Sequence, residues 1–121
     1  TGHDGSLSTG HANSTKDMLS RLETMVLMGA EGLPLEAIRQ QIASAVDIII
    51  HLSRLRDHSR KTMEITEVVG LKDGEIELNP LYVFEETKES SMEKVVGELK
   101  RTKNALKNTF KLKLMGYKGV I

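Results

Sequence analysis

The chain has 121 residues, 39% of them apolar and 28% charged, with a net charge of zero and no cysteine. This is the composition of one globular domain with room for one modest core. It excludes disulfides and thiolate metal centres, it fits a reducing compartment, and no apolar run approaches the ~20 residues of a membrane-spanning helix.

Aromatic residues make up only 3% of the chain, so Leu, Ile, Val and Met must fill the core. Residues 1–14 carry His3, Asp4 and His11 among small hydroxyl side chains and Gly2, Gly5 and Gly10. Such a stretch is poor core material and suits a loop that presents side chains to a ligand. Within it, residues 6–9 (Ser-Leu-Ser-Thr), bounded by glycines, read as a short buried strand. Asn13 or Ser14 caps the next helix, and Asp17 in its first turn complements the dipole. Over 15–28 the helical period puts Met18, Leu19, Leu22, Met25 and Val26 on one face, and Gly29 and Gly32 end the helix. Pro34 opens a second helix whose inward stripe is Leu35, Ile38, Ile42, Ala45 and Val46.

The run Ile48, Ile49 and Ile50 then favours a strand buried on both faces, with His51 partly buried within it. A turn at Asp57-His58-Ser59, a strand over 61–69, a tight turn at Asp73-Gly74 and a strand over 75–78 predict an antiparallel meander. Pro80 breaks it and leaves 81–84 as a short extended segment. Ser90 or Ser91 caps a third helix striped by Met92, Val95, Val96 and Leu99. A further helix carries Leu106, Phe110 and Leu114 and ends near Gly116.

Charge is unevenly placed. Between Asp73 and Glu98 stand eight acidic and two basic residues, whereas Lys100 to Lys118 holds seven basic residues and no acidic one. A basic tail can meet a membrane surface, a nucleic acid or an acidic partner. The plainer reading is a solvated face balanced by the acidic segment before it. The cluster Arg54, Arg56, Arg60 and Lys61 flanks the first hairpin and is either an exposed turn or a contact to an acidic neighbour or nucleotide.

Three readings compete for residues 1–14. A metal site is poorly served, because the gap between His3 and His11 matches no compact ligand pattern and a third ligand is not evident. A phosphate-facing site is better served by hydroxyls, a histidine and the free N–H groups of the helix that follows. A glycine-rich connector with solvated histidines fits equally well. No G-x-S-x-G elbow supports a nucleophilic triad, and no G-x4-G-K-[ST] phosphate loop occurs anywhere in the chain.

Residues 1–14 followed by Leu19-Ser20-Arg21-Leu22-Glu23-Thr24-Met25, then Leu33-Pro34-Leu35, Ala37-Ile38-Arg39, Ser53-Arg54-Leu55-Arg56-Asp57 and Ile65-Thr66-Glu67-Val68-Val69-Gly70, resemble the ATPases of type II and type IV secretion, pilus assembly and conjugation. The nearest branch is that of tight-adherence (Flp-type) pilus assembly. The resemblance covers residues 1–85 and is looser over 86–121. It implies an α/β fold that is the C-terminal portion of a RecA-like P-loop NTPase domain: a short strand, two helices, an antiparallel meander and C-terminal helices. On that reading 1–85 belongs to the ATPase domain and 86–121 is a helical basic tail.

The resemblance also assigns roles. Residues 1–14 become the family's histidine box near the γ-phosphate, with His11 and His3 as its sensing histidines and Ser8, Thr9 and Asn13 as supporting polar groups. ATP and Mg are the implied cofactors of the parent protein. Neighbouring subunits of a homo-hexamer and platform proteins at the inner face of the cytoplasmic membrane are the implied partners. Walker A, the Asp box and Walker B are all missing, so this chain is expected to be a fragment or processed product, inactive alone and prone to self-association. Gly10 stands where the family often carries an aliphatic residue. The competing expectation is a non-enzymatic module that docks on platform proteins, lipid or a neighbouring subunit.

Overall fold

The computed structural model describes residues 5–29, 32–119 and 121. Two helices, α1 (Thr15–Gly29) and α2 (Leu35–Ala45), precede four strands, β1 (Ile48–Arg54), β2 (Arg60–Lys72), β3 (Glu75–Glu86) and β4 (Gly97–Arg101), and a short helix α3 (Phe110–Leu114) follows. The strands form one antiparallel sheet in the order β1-β2-β3-β4. The fold is therefore mixed α/β, as expected.

The two helices form where apolar period and punctuation agree. Ser14 Oγ accepts the Asp17 N–H at 3.0 Å, and the Asp17 carboxylate accepts the Asn13 N–H at 2.9 Å, which closes the start of α1. Pro34 stands at the N-cap of α2 with an extended backbone. Leu19, Ile38 and Ile42 are buried together, and Leu22, Val26, Val46, Ile49, Ile76 and Leu78 pack against them. The helices thus cover one face of the meander. Arg39 ties the layer: its guanidinium donates to Glu23 at 2.9 Å on α1 and to the Gly74 carbonyl at 3.0 Å in the β2–β3 turn. That turn holds Asp73 and Gly74 both at positive φ, as a two-residue hairpin loop requires.

Five expectations are corrected. Residues 6–9 form no strand: they lie outside the sheet and Leu7 is fully exposed. A strand needs a ladder partner, and the meander pairs its own strands in sequence without reaching this segment. β1 is not buried on both faces. It is an edge strand, and Ile48, Ile50 and Leu52 are exposed on the side away from the helices while Ile49 packs against them.

Pro80 does not break β3. It sits opposite Thr66 beside a bulge at which Leu81 of β3 is left without a partner on β2, a place where a strand tolerates proline, and the strand runs through it. Finally, the stripe Met92, Val95, Val96 and Leu99 forms no helix; loop and β4 take its place. Tertiary hydrogen bonds decide this outcome. Arg56 donates to the Ser91 carbonyl and the Val95 N–H donates to Asp57. Gly97 lies flush on β3, where an added Cβ would stand 2.3 Å from the Glu85 carbonyl oxygen. The last helix is also shorter than expected, and Leu106 lies outside it.

β3 continues past residue 85 and pairs with β4, and the segment after β4 returns across β2 and β3. Thr102 donates to the carbonyls of Leu81 and Pro80, and the Lys107 and Asn108 N–H groups donate to Glu67. Among the described residues no helix is long and apolar enough to cross a membrane.

Candidate functional site

The residues before α1 and the first turns of that helix build a groove. Thr9, Gly10 and His11 form one wall, and Asp17, Met18, Arg21, Leu22 and Met25 the other, around a volume of about 600 Å³. The loop can lie close to the helix because Gly10 carries no side chain: a Cβ there would meet the Met18 methyl at 2.5 Å. An aliphatic residue at this position would require Met18 to move aside.

His11 is exposed at the groove, so its ring is free to meet a ligand. Thr9 lines the same wall. Ser8 is exposed just outside it. Asn13 is exposed as well, and its backbone N–H is spent on Asp17. His3 lies outside the described residues. The structure thus brings His11 and Thr9 together at one groove and leaves Ser8 and Asn13 at its margin.

Asp17 and Arg21 are the pair that sequence reasoning left without a contact. Arg21 Nε donates to Asp17 Oδ2 at 3.1 Å, one helical turn away. The Asn13 N–H and then the Arg21 guanidinium hold the Asp17 carboxyl below the usual carboxylate range. The i, i+4 spacing of the two residues was the available signal. Next to His11 the groove therefore carries an ion pair, the Asp17 carboxylate and the largely exposed Arg21 guanidinium.

The basic hairpin is partly spent internally. Arg56 makes a two-pronged contact with Glu86, both distances 2.9 Å, and also donates to the Ser91 carbonyl. Asp57 accepts from Ser59 and from the Val95 N–H, and those bonds depress its pKa. Arg54 and Arg60 face each other across the ladder and stay exposed. His51 is half-buried, and His58 is exposed in the turn. Among the described residues no three His, Asp or Glu side chains gather closely enough to hold a metal ion.

With this geometry in place, the profile of the type II/IV secretion system protein family matches residues 1–114, and the chain belongs to that family. Two proteins from two strains of Mycobacterium tuberculosis, each carrying the name conjugal transfer protein, are 37% identical to it over 65 residues. That match covers 54% of this chain and 18% of each relative, so the chain spans less than a fifth of their length.

Proposed function

We propose that this chain is the part of a secretion or conjugation motor that follows its phosphate-binding region, within a RecA-like ATPase domain. In the intact protein, a homo-hexameric ring would couple ATP hydrolysis to protein export, pilus assembly of the tight-adherence type, or DNA transfer. The ring would sit at the inner face of the cytoplasmic membrane against platform proteins. The observation that carries the reading is an exposed His11 at the mouth of a groove, directly before a capped helix, in a chain of this family.

The donor set suits the rim of a phosphate site. The His11 ring, the Thr9 hydroxyl and the Arg21 guanidinium can each donate to an anionic oxygen, and Gly10 keeps the wall low. When bound, ATP with Mg would supply the phosphoryl group to be transferred. The chain's own part is to bind and stabilise charge: His11, with His3 eight residues before it in sequence, would donate hydrogen bonds toward the γ-phosphate, and Ser8, Thr9 and Asn13 would support the loop. The chain has no phosphate loop and no cluster for a cation among the described residues, so the rest of the site must come from elsewhere in the parent protein. The open edge of β1, with Ile50 and Leu52 exposed, is the surface on which a neighbouring subunit or a second copy would pack.

This reading expects ATP turnover by the intact parent protein and none by the 121-residue chain alone. Steady-state phosphate release measured on both tests it. Turnover by the isolated chain, or no turnover by a folded parent, would overturn it.

A further inference from the structure

The end of the chain presents an apolar tip ringed by unpaired cations. Phe110 and Leu114 stand one helical turn apart on α3 and are 73% and 70% exposed. Met115, at 84%, and Tyr117, at 45%, extend the tip. Lys111, Lys113 and Lys118 lie exposed around it, and among the described residues none of the three makes an ion pair. Lys100 and Lys107, by contrast, reach Glu85 and Glu77.

The tip stands clear of the sheet and the other helices. Leu112 is the half-buried residue of α3. The Tyr117 N–H donates to the Leu112 carbonyl, and Gly116 turns the chain with φ 91°. Upstream, the Lys107 and Asn108 N–H groups are fixed on Glu67. Presenting this surface therefore requires no unfolding.

We infer that residues 110–118 form a docking surface for the headgroup layer of an anionic lipid bilayer. The surface is complementary to such a layer in charge and in polarity together. Free lysines with no acidic residue among them match lipid phosphates, and an aromatic and thioether-bearing tip enters the headgroup and acyl boundary. A surface that is acidic alone, with no apolar layer beneath its charges, would pair the lysines but leave Phe110, Leu114 and Met115 in water. The inference is independent of the motor reading, because no nucleotide enters it.

The test is co-sedimentation of the full chain with vesicles of phosphatidylcholine, with and without phosphatidylglycerol. Binding is expected only with phosphatidylglycerol and is expected to weaken as salt is added. The triple variant Lys111→Gln, Lys113→Gln, Lys118→Gln should lose roughly fivefold in affinity per lysine. The double variant Phe110→Ser, Leu114→Ser should lose most of the remainder, with circular dichroism unchanged because these side chains are exposed. In a separate variant, Phe110→Trp, the indole emission should shift to shorter wavelength on the anionic vesicles. Equal binding to neutral vesicles, no binding, or full binding by the lysine and serine variants would each overturn the inference. Binding to soluble polyglutamate without binding to vesicles would overturn it too, and would point to an acidic protein partner.

Discussion

Replacing His11 with Ala in the intact parent protein is expected to lower ATP turnover by roughly a hundredfold, the usual cost of removing one donor aimed at developing charge. The loss should fall on kcat more than on KM, because the proposed contact strengthens as charge builds on the transferring group. His11 is exposed and packs on nothing in the core, so the variant should fold and melt as the parent does. His11→Gln, which keeps a donor, should recover part of the rate. Steady-state kinetics on the three proteins decides the matter, and unchanged turnover in His11→Ala would remove this residue from the site. A smaller effect is expected for Thr9→Ala, which lies on the same wall.

The second large effect concerns Glu67. Its residue is 1% exposed, and its carboxylate accepts from Asn79 Nδ2 and the Lys107 N–H, each at 2.9 Å, and from the Asn108 N–H at 2.8 Å. Burial alone would raise its pKa, but the Lys107 N–H, the Asn79 amide and the Asn108 N–H outweigh it and hold the group below an ordinary glutamate. Glu67→Gln keeps the shape but turns an NH2 group toward a donor, so a part-buried N–H loses its acceptor inside the buried end of the Glu67 side chain. We expect a loss of about 3 kcal/mol, or roughly 10 °C in melting temperature.

The pH dependence has a fixed sign. The folded-state pKa lies below the unfolded one, so the contribution is fully present above the ordinary value of 4.5 and is lost as pH falls through the lower folded value. The Glu67→Gln variant should lack this acid-side loss. Thermal melts from neutral pH to below that value check both statements. Parallel acid limbs in the two proteins would refute the role given to Glu67.

Much of the fold was legible because local and tertiary signals agree. Leu19, Leu22 and Val26 of the first stripe and Ile38, Ile42 and Val46 of the second fall on covered faces, whereas Met25, Leu35 and Ala45, expected beside them, are exposed; Asp73-Gly74 marks its hairpin. The failures share one cause, which is that long-range contacts outrank local pattern. Met92 and Val95 have helical spacing, yet Arg56, Asp57 and a bare Gly97 fix that segment to the sheet. Pro80 looked like an end because its partner, a register shift near Thr66, is invisible in one strand alone. The isoleucine run predicted a doubly buried strand, but nothing in its spacing tells whether a second layer exists. Glu67 gave no signal either, since two of its three hydrogen-bond donors, Lys107 and Asn108, lie about forty residues further on.

Residue order placed part of the proposed site's geometry and missed part of it. His11, Thr9 and the capped helix share one groove as their order in the chain implied. The strand assigned to 6–9 did not form, and Arg21 found Asp17 without any signal beyond their spacing. A groove made of a loop and one helix offers donors to an anion but no enclosure. On the proposed reading the groove is one side of a site completed by the rest of the parent protein.

The most direct measurement is photo-crosslinking of the intact parent protein with an ATP analogue that carries an aryl azide on its γ-phosphate. The proposed placement predicts that the labelled peptide contains His11 and that excess ATP suppresses the labelling. Specific, ATP-competed labelling confined to other segments, with the peptide around His11 unmodified, would contradict it.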